Sequence, residues 1–94
     1  MSLGVLTLKF LLPGCTSLKE KRGRLRPLLA RLHREFNLSV AEIESLDCWQ
    51  EAGIACAMIS NDERHTQRSL QKVVSWIEVN RPDIQLIDER IEIL

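Results

Sequence analysis

The spacing of apolar positions along this chain alternates between every second residue and every third or fourth, and the changes divide it into six elements. From Leu3 to Leu12, the residues Leu6, Leu8, Phe10 and Leu12 fall on one side, with Val5, Thr7, Lys9 and Leu11 on the other. That is the period of a strand, and because both sides are largely apolar it predicts a central one. Pro13-Gly14 closes it. Ser17-Leu18-Lys19-Glu20 then has the Ser-x-x-Glu form of a capping box, whose two side chains satisfy otherwise orphan backbone amides, so a helix starts near Ser17. Leu18, Leu25, Leu28, Leu29, Leu32 and Phe36 share one helical face. Pro27 lacks an amide and its ring crowds the carbonyl of Gly23 four residues earlier. A kink between these two residues is expected, without a break, because the apolar face keeps its register on both sides.

Asn37 ends that helix. Leu38 to Glu44 reads as an edge strand whose acidic outward residues discourage pairing with another chain. Ser45 to Cys48 forms a turn or bulge. Trp49 to Ile59 returns through Ala52, Gly53, Ala55 and Ala57, small residues that suit a buried strand closely packed by its neighbours. A second capping box, Ser60-Asn61-Asp62-Glu63, opens a helix with Leu70, Val73, Val74 and Ile77 toward the core. Pro82 ends that region, and Ile84 to Ile93 is an acidic last strand. The order predicts one α+β domain over residues 1–94. Its expected fold is the ferredoxin-like β-α-β-β-α-β arrangement, a four-stranded antiparallel sheet with both helices on one face.

Ninety-four residues, 45% of them hydrophobic, support one core, with an oligomer as a source of further stability. Three cysteines without a Cys-x-x-Cys pair fit neither a disulfide framework nor a zinc site and point to a reducing, cytoplasmic setting. Leu12-Pro13-Gly14-Cys15 is similar to a lipoprotein cleavage box, but Lys9 interrupts the apolar run and no basic segment precedes it, so a buried strand is expected there. No apolar run approaches the ~18 residues of a membrane span.

Thirteen basic and thirteen acidic residues cancel, yet seven of the basic ones lie between positions 19 and 34: Lys19, Lys21, Arg22, Arg24, Arg26, Arg31 and Arg34. They are the candidate nucleic-acid-binding residues. Lys19, Arg26, Arg31 and Arg34 project to solvent. Lys21 and Arg22 instead flank the apolar stripe in the first turns. There they either make an anion site with the positive helix end or pair with Glu42, Glu44 or Asp47 on the neighbouring strand and turn. RNA readers of this topology stack bases on aromatic residues of the open sheet face, which this chain lacks, so RNA would be held by its phosphates and shape.

The open face offers Val5, Thr7, Leu11 and Ile59 to a protein partner or a second copy. Trp49 is expected to be a core lid or part of a self-interface. No catalytic residue, cofactor or metal is expected. His33 and His65 lack metal-ligand spacing, Glu42 and Glu44 read as an acidic edge, and Cys15, although near cations at a helix start, has no resolving partner.

Ser17-Leu18-Lys19-Glu20-Lys21-Arg22, joined to Phe36-Asn37-Leu38-Ser39-Val40-Ala41-Glu42, resembles the YlxP-like family of small uncharacterised bacterial proteins. The likeness runs from Gly4-Val5 through Trp49-Gln50 and Ser60-Asn61-Asp62 to Glu92-Ile93-Leu94. It implies a ferredoxin-like fold, no established activity, and genes near those for translation initiation and ribosome maturation factors. Glu51 departs from the basic residue common after the Trp-Gln pair, and the turn before it is less polar than is usual. The expectation is therefore a non-enzymatic cytoplasmic module that contacts ribosomal RNA or a ribosomal protein through its basic first helix. The alternative is a structural or regulatory homo-oligomer that binds through its open sheet face.

Overall fold

The computed structural model describes residues 1–94 and contains, in chain order, β1 (Ser2–Leu11), α1 (Leu18–Phe36), β2 (Ser39–Glu44), β3 (Glu51–Ser60), α2 (Glu63–Asn80) and β4 (Gln85–Ile93). The strands form one antiparallel sheet in the order β2-β3-β1-β4, the expected ferredoxin-like layout. β1 is central, and its Leu6, Leu8 and Phe10 are fully buried beneath the helices, with Leu12 just beyond it. Leu25, Leu28 and Leu32 of α1 and Leu70, Val73, Val74 and Ile77 of α2 complete a single buried cluster with them. No helix is long and apolar enough to cross a membrane.

The helix ends follow the sequence with one correction. Ser17 caps α1 by accepting from the Glu20 amide, and Glu20 reaches back to the Thr16 amide. Asn37 closes α1 in the left-handed region, where its short polar side chain is tolerated. α1 continues unbroken through Pro27; both Pro27 and Gly23 are exposed, so the Gly23 carbonyl that lacks an amide partner is left on the wet side. At α2 the cap is Asp62, accepting from the Arg64 amide, and not Ser60. Ser60 belongs to β3 and instead shares a 2.7 Å hydrogen bond with the Thr66 hydroxyl.

Gly4 marks a close approach of α2 to the sheet. A β-carbon there would lie 2.4 Å from Thr66 Cγ2 and 2.9 Å from Leu70 Cδ1. Thr66 is stiff at χ1 and its hydroxyl is already bonded, so it cannot swing aside freely. Gly4→Ala is expected to destabilise the protein by about 1–3 kcal/mol, the cost of overpacking. Urea unfolding checks this, and an unchanged or raised midpoint would contradict the packing described.

Candidate functional site: the helix layer and the β2–β3 turn

The charges of this neutral chain are separated by layer. The two helices together hold ten of the thirteen basic residues and only four of the thirteen acidic ones, while strands and loops hold the other nine acids. The protein therefore presents a basic helix layer over an acidic sheet rim, a polarity that the net charge hides.

Within α1 the seven candidate residues divide into three groups. Lys21 is a correction to the expected nucleic-acid site, because its side chain is only 2% exposed. Its ammonium donates to the Ser45 carbonyl at 2.6 Å and the Cys48 carbonyl at 2.8 Å, and lies 2.9 Å from Glu42 Oε2. Two carbonyls accept from the ammonium and the Glu42 carboxylate lies at ion-pair distance, so the charge is compensated in place and unavailable to a phosphate. The helix start is also less open to an anion than expected: Ser17 Oγ holds the Glu20 amide, and Glu20 is bound by Thr16. Those two Thr16 bonds, amide first and hydroxyl second, hold the Glu20 carboxyl below its usual range.

Arg24 and Arg31 form the second group, turned toward α2 and its following loop. Arg24 donates to the carbonyls of Pro13 and Asp83. Arg81 grips both Asp83 carboxylate oxygens at 2.9 Å and donates to the Arg24 carbonyl. Hydrogen bonding from Arg81, opposed by burial and aided by both arginine charges, holds the Asp83 carboxyl below the usual aspartate range. Arg31 lies over the Trp76 ring at 5.4 Å, with Glu35 at 3.5 Å. Trp76 in turn meets Phe36 edge-on at 5.9 Å. Both arginines are expended mainly in joining α1 to its neighbours.

Lys19, Arg22, Arg26 and Arg34 make up the third group, exposed and without an ion-pair partner. Lys19, Arg22 and Arg26, spaced by three and four, form one ridge on the flank away from α2. A further set, Arg64, Arg68 and Lys72, lies at i, i+4 and i+8 on the outer face of α2, also exposed and unpaired. Sequence reading passed over it because three cations in eighteen residues do not stand out until the outer faces of both helices are seen together.

The β2–β3 turn sits against the first turns of α1 because Lys21 ties it there. The Cys48 amide donates to the Ser45 carbonyl at 3.0 Å, and Ser45 takes a positive φ of 58°. On the far side, the Gln50 carbonyl accepts from the Leu12 amide at 2.8 Å. Trp49 is thus held between two anchored residues, yet it is 50% exposed and lies outside the core cluster, as does Leu46 at 58%. Of the two roles expected for it, core lid or self-interface, the exposure removes the core lid. Burying the other half of an indole would yield roughly 2 kcal/mol at ~25 cal/mol per Å², stabilisation that the folded chain forgoes.

The remaining candidates fall elsewhere. His33 Nδ1 donates to the Leu38 carbonyl at 2.6 Å, and His65 is an exposed residue in the first turns of α2. Cys15 is fully buried and its thiol contacts the Ser17 carbonyl at 3.5 Å, which removes it as a reactive site. No three His, Cys, Asp or Glu side chains come together in a metal-holding group. A concavity at Asp62, Glu63, Arg64, Gln67 and Arg68 is lined by no hydrophobic residue.

Comparison with known proteins agrees with the fold and leaves the chemistry open. The model of a family described as protein of unknown function (DUF503) matches residues 3–91. The uncharacterized protein YlxP of Bacillus subtilis (strain 168) is 37% identical over 76 residues, covering 81% of this chain and 82% of that protein. Among solved structures, a candidate antibiotic biosynthesis monooxygenase from Chloroflexus aurantiacus superposes with a TM-score of 0.58 at 16% identity, covering all of this chain and 93% of that one. A protein of unknown function from Nitrosomonas europaea gives 0.56 at 15%, covering all of this chain and 88% of that one. At such identities the likeness is one of fold alone.

Two outcomes follow from these contacts. Lys21→Met keeps the apolar stem but strands Glu42 and two carbonyls, and is expected to cost roughly 2–4 kcal/mol in urea unfolding. Adding Glu42→Gln should recover part of that loss; a single-variant cost below about 0.5 kcal/mol, the scale of an ordinary surface change, would show the contacts to be incidental. Alkylation of the native protein should modify Cys48 alone, because Cys15 and Cys56 are buried and burial pushes the Cys56 thiol up to about 12. Equal labelling of all three without denaturant would contradict the burial.

Proposed function

Because this chain belongs to the DUF503 family of proteins of unknown function, we propose its role from its own surface: a non-catalytic module that binds RNA, with ribosomal RNA as the expected partner, through its helix layer. The observation that carries this proposal is the set of cations left unpaired. Lys19, Arg22, Arg26 and Arg34 on α1, with Arg64, Arg68 and Lys72 on α2, stand exposed in a molecule with acids enough to neutralise every one. Nine of the thirteen acids are held instead on the strands and loops, so the helix layer keeps a net positive charge. Phosphates are the ligand such a surface suits, since each contact releases counterions and adds affinity without reading sequence. Lys21, Arg24 and Arg31, whose charges are engaged within the protein, serve to hold that layer in place.

A second role, self-association, is favoured by the open sheet face. There Leu3 and Val5 of β1 pair with Ile59 and Ala57 of β3, and Ile59 is 67% exposed. Apolar surface of this kind is a common site of contact between copies. Light scattering across a concentration series tests it, with Ile59→Lys and Val5→Lys together expected to hold the protein as a monomer.

The RNA proposal is tested by titrating ribosomal RNA across a salt series with wild type and with Lys19→Glu, Arg22→Glu and Arg26→Glu combined. Affinity of wild type should fall steeply with salt, the logarithmic slope being about −0.7 to −0.9 for each phosphate neutralised. The triple variant should show both weaker binding and a shallower slope. No binding by wild type at low salt would rule the proposal out.

A further inference from the structure

We propose that the β2–β3 turn is the base-binding part of this surface, with Trp49 stacking on an unpaired base of single-stranded RNA whose phosphates run along Lys19, Arg22 and Arg26. This deepens the RNA role proposed above and rests on it.

The placement comes from Lys21. Its buried ammonium reaches from the first turns of α1 to the carbonyls of Ser45 and Cys48, so the turn is pinned beside the helix segment that carries Lys19 and Arg22. Trp49 is the next residue, and the Leu12 amide secures Gln50 after it. An indole on backbone held at both sides, half in water and outside the core, is a preorganised platform instead of a mobile surface residue. Leu46, more than half exposed, is a second apolar side chain that the same turn leaves in water.

Charge fixes which part of a nucleotide each side accepts. Lys19, Arg22 and Arg26 have no acidic partner, whereas Asp47 on the turn and Glu44 at the end of β2 repel phosphate from the turn itself. A strand crossing here therefore keeps its backbone over α1 and turns its bases toward Trp49. Only an unpaired base offers its face to an indole, and stacking of this kind tolerates any base. The preference that results is for single strands over duplexes, with little dependence on sequence. Acidic protein segments are the competing occupant, but Asp47 and Glu44 would repel acidic side chains laid across the turn, whereas a base stacked on Trp49 carries no charge.

The test compares a twelve-nucleotide oligouridylate with a twelve-base-pair RNA duplex, using wild type, Trp49→Ala, Trp49→Phe and the combined Arg22→Glu and Arg26→Glu, each checked for unfolding midpoint. Wild type should favour the single strand. Trp49→Ala should weaken single-strand binding roughly 5- to 100-fold and leave duplex binding within about two-fold, while Trp49→Phe keeps most of the affinity. Tryptophan fluorescence should be quenched on binding in wild type and much less in Trp49→Phe, which retains Trp76. If the arginine variant loses binding while Trp49→Ala changes neither affinity nor preference, the stacking inference is overturned and the phosphate surface stands. If wild type binds neither RNA, both fall, and loss of self-association in Trp49→Ala would then identify the turn as a protein anchor.

Discussion

Two helices can cover only one face of a four-stranded sheet, and most of this structure is a consequence of that limit. β1 runs through the centre and sends Leu6, Leu8 and Phe10 under α1 and α2, where they form the middle of the only sizeable core. The close passage of α2 over Gly4 belongs to the same requirement, since the helix must sit low enough to exclude water from Thr66 and Leu70. What the helices cannot reach remains open, and there Leu3, Val5, Ala57 and Ile59 stay partly in contact with solvent. Ninety-four residues with two helices leave no third layer to cover it.

Lys21 shows how burying one charge organises a surface some distance away. Desolvating an ammonium is tolerated only where its charge is compensated, and here the turn supplies two carbonyls and β2 the Glu42 carboxylate. In return the turn that carries exposed Leu46 and leads into Trp49 is drawn against the start of α1, the segment that carries Lys19 and Arg22. A basic residue that does not itself reach solvent thereby sets the positions of residues that do. Arg24 and Arg31 act similarly on the other flank of α1, through Asp83 with Arg81 and through Trp76.

Separating charge by layer gives a neutral molecule a strong local field. Five of the acids lie on β2 and β4, the two edge strands, where they blunt the sheet edges against pairing with other chains. Ten of the thirteen cations lie on the helices, and all of these but buried Lys21 reach the surface at least in part. Fold likeness to proteins of other descriptions adds nothing to this, because a ferredoxin-like sheet hosts many unrelated chemistries. The surface charges and the exposed indole are particular to this chain.

Element order and the buried face of each element were legible in the sequence because they depend on local periods: two for β1, near 3.6 for α1 and α2, with Ser17 and Asn37 marking the ends of α1. The family was legible too, in the run from Ser17 to Arg22. The α2 cap was misplaced by two residues, since Ser60 and Asp62 are both competent caps and only the extent of β3 decides between them. The fates of the seven basic residues were decided by tertiary structure. Helical phase put Lys21 and Arg22 at the borders of the apolar stripe, but whether a border residue folds inward depends on the acceptors that other segments bring, and for Lys21 those are Glu42, Ser45 and Cys48, distant in sequence. Trp49 depended on long-range contacts for the same reason: its exposure follows from where Lys21 and Leu12 hold the turn, and no local pattern contains that geometry.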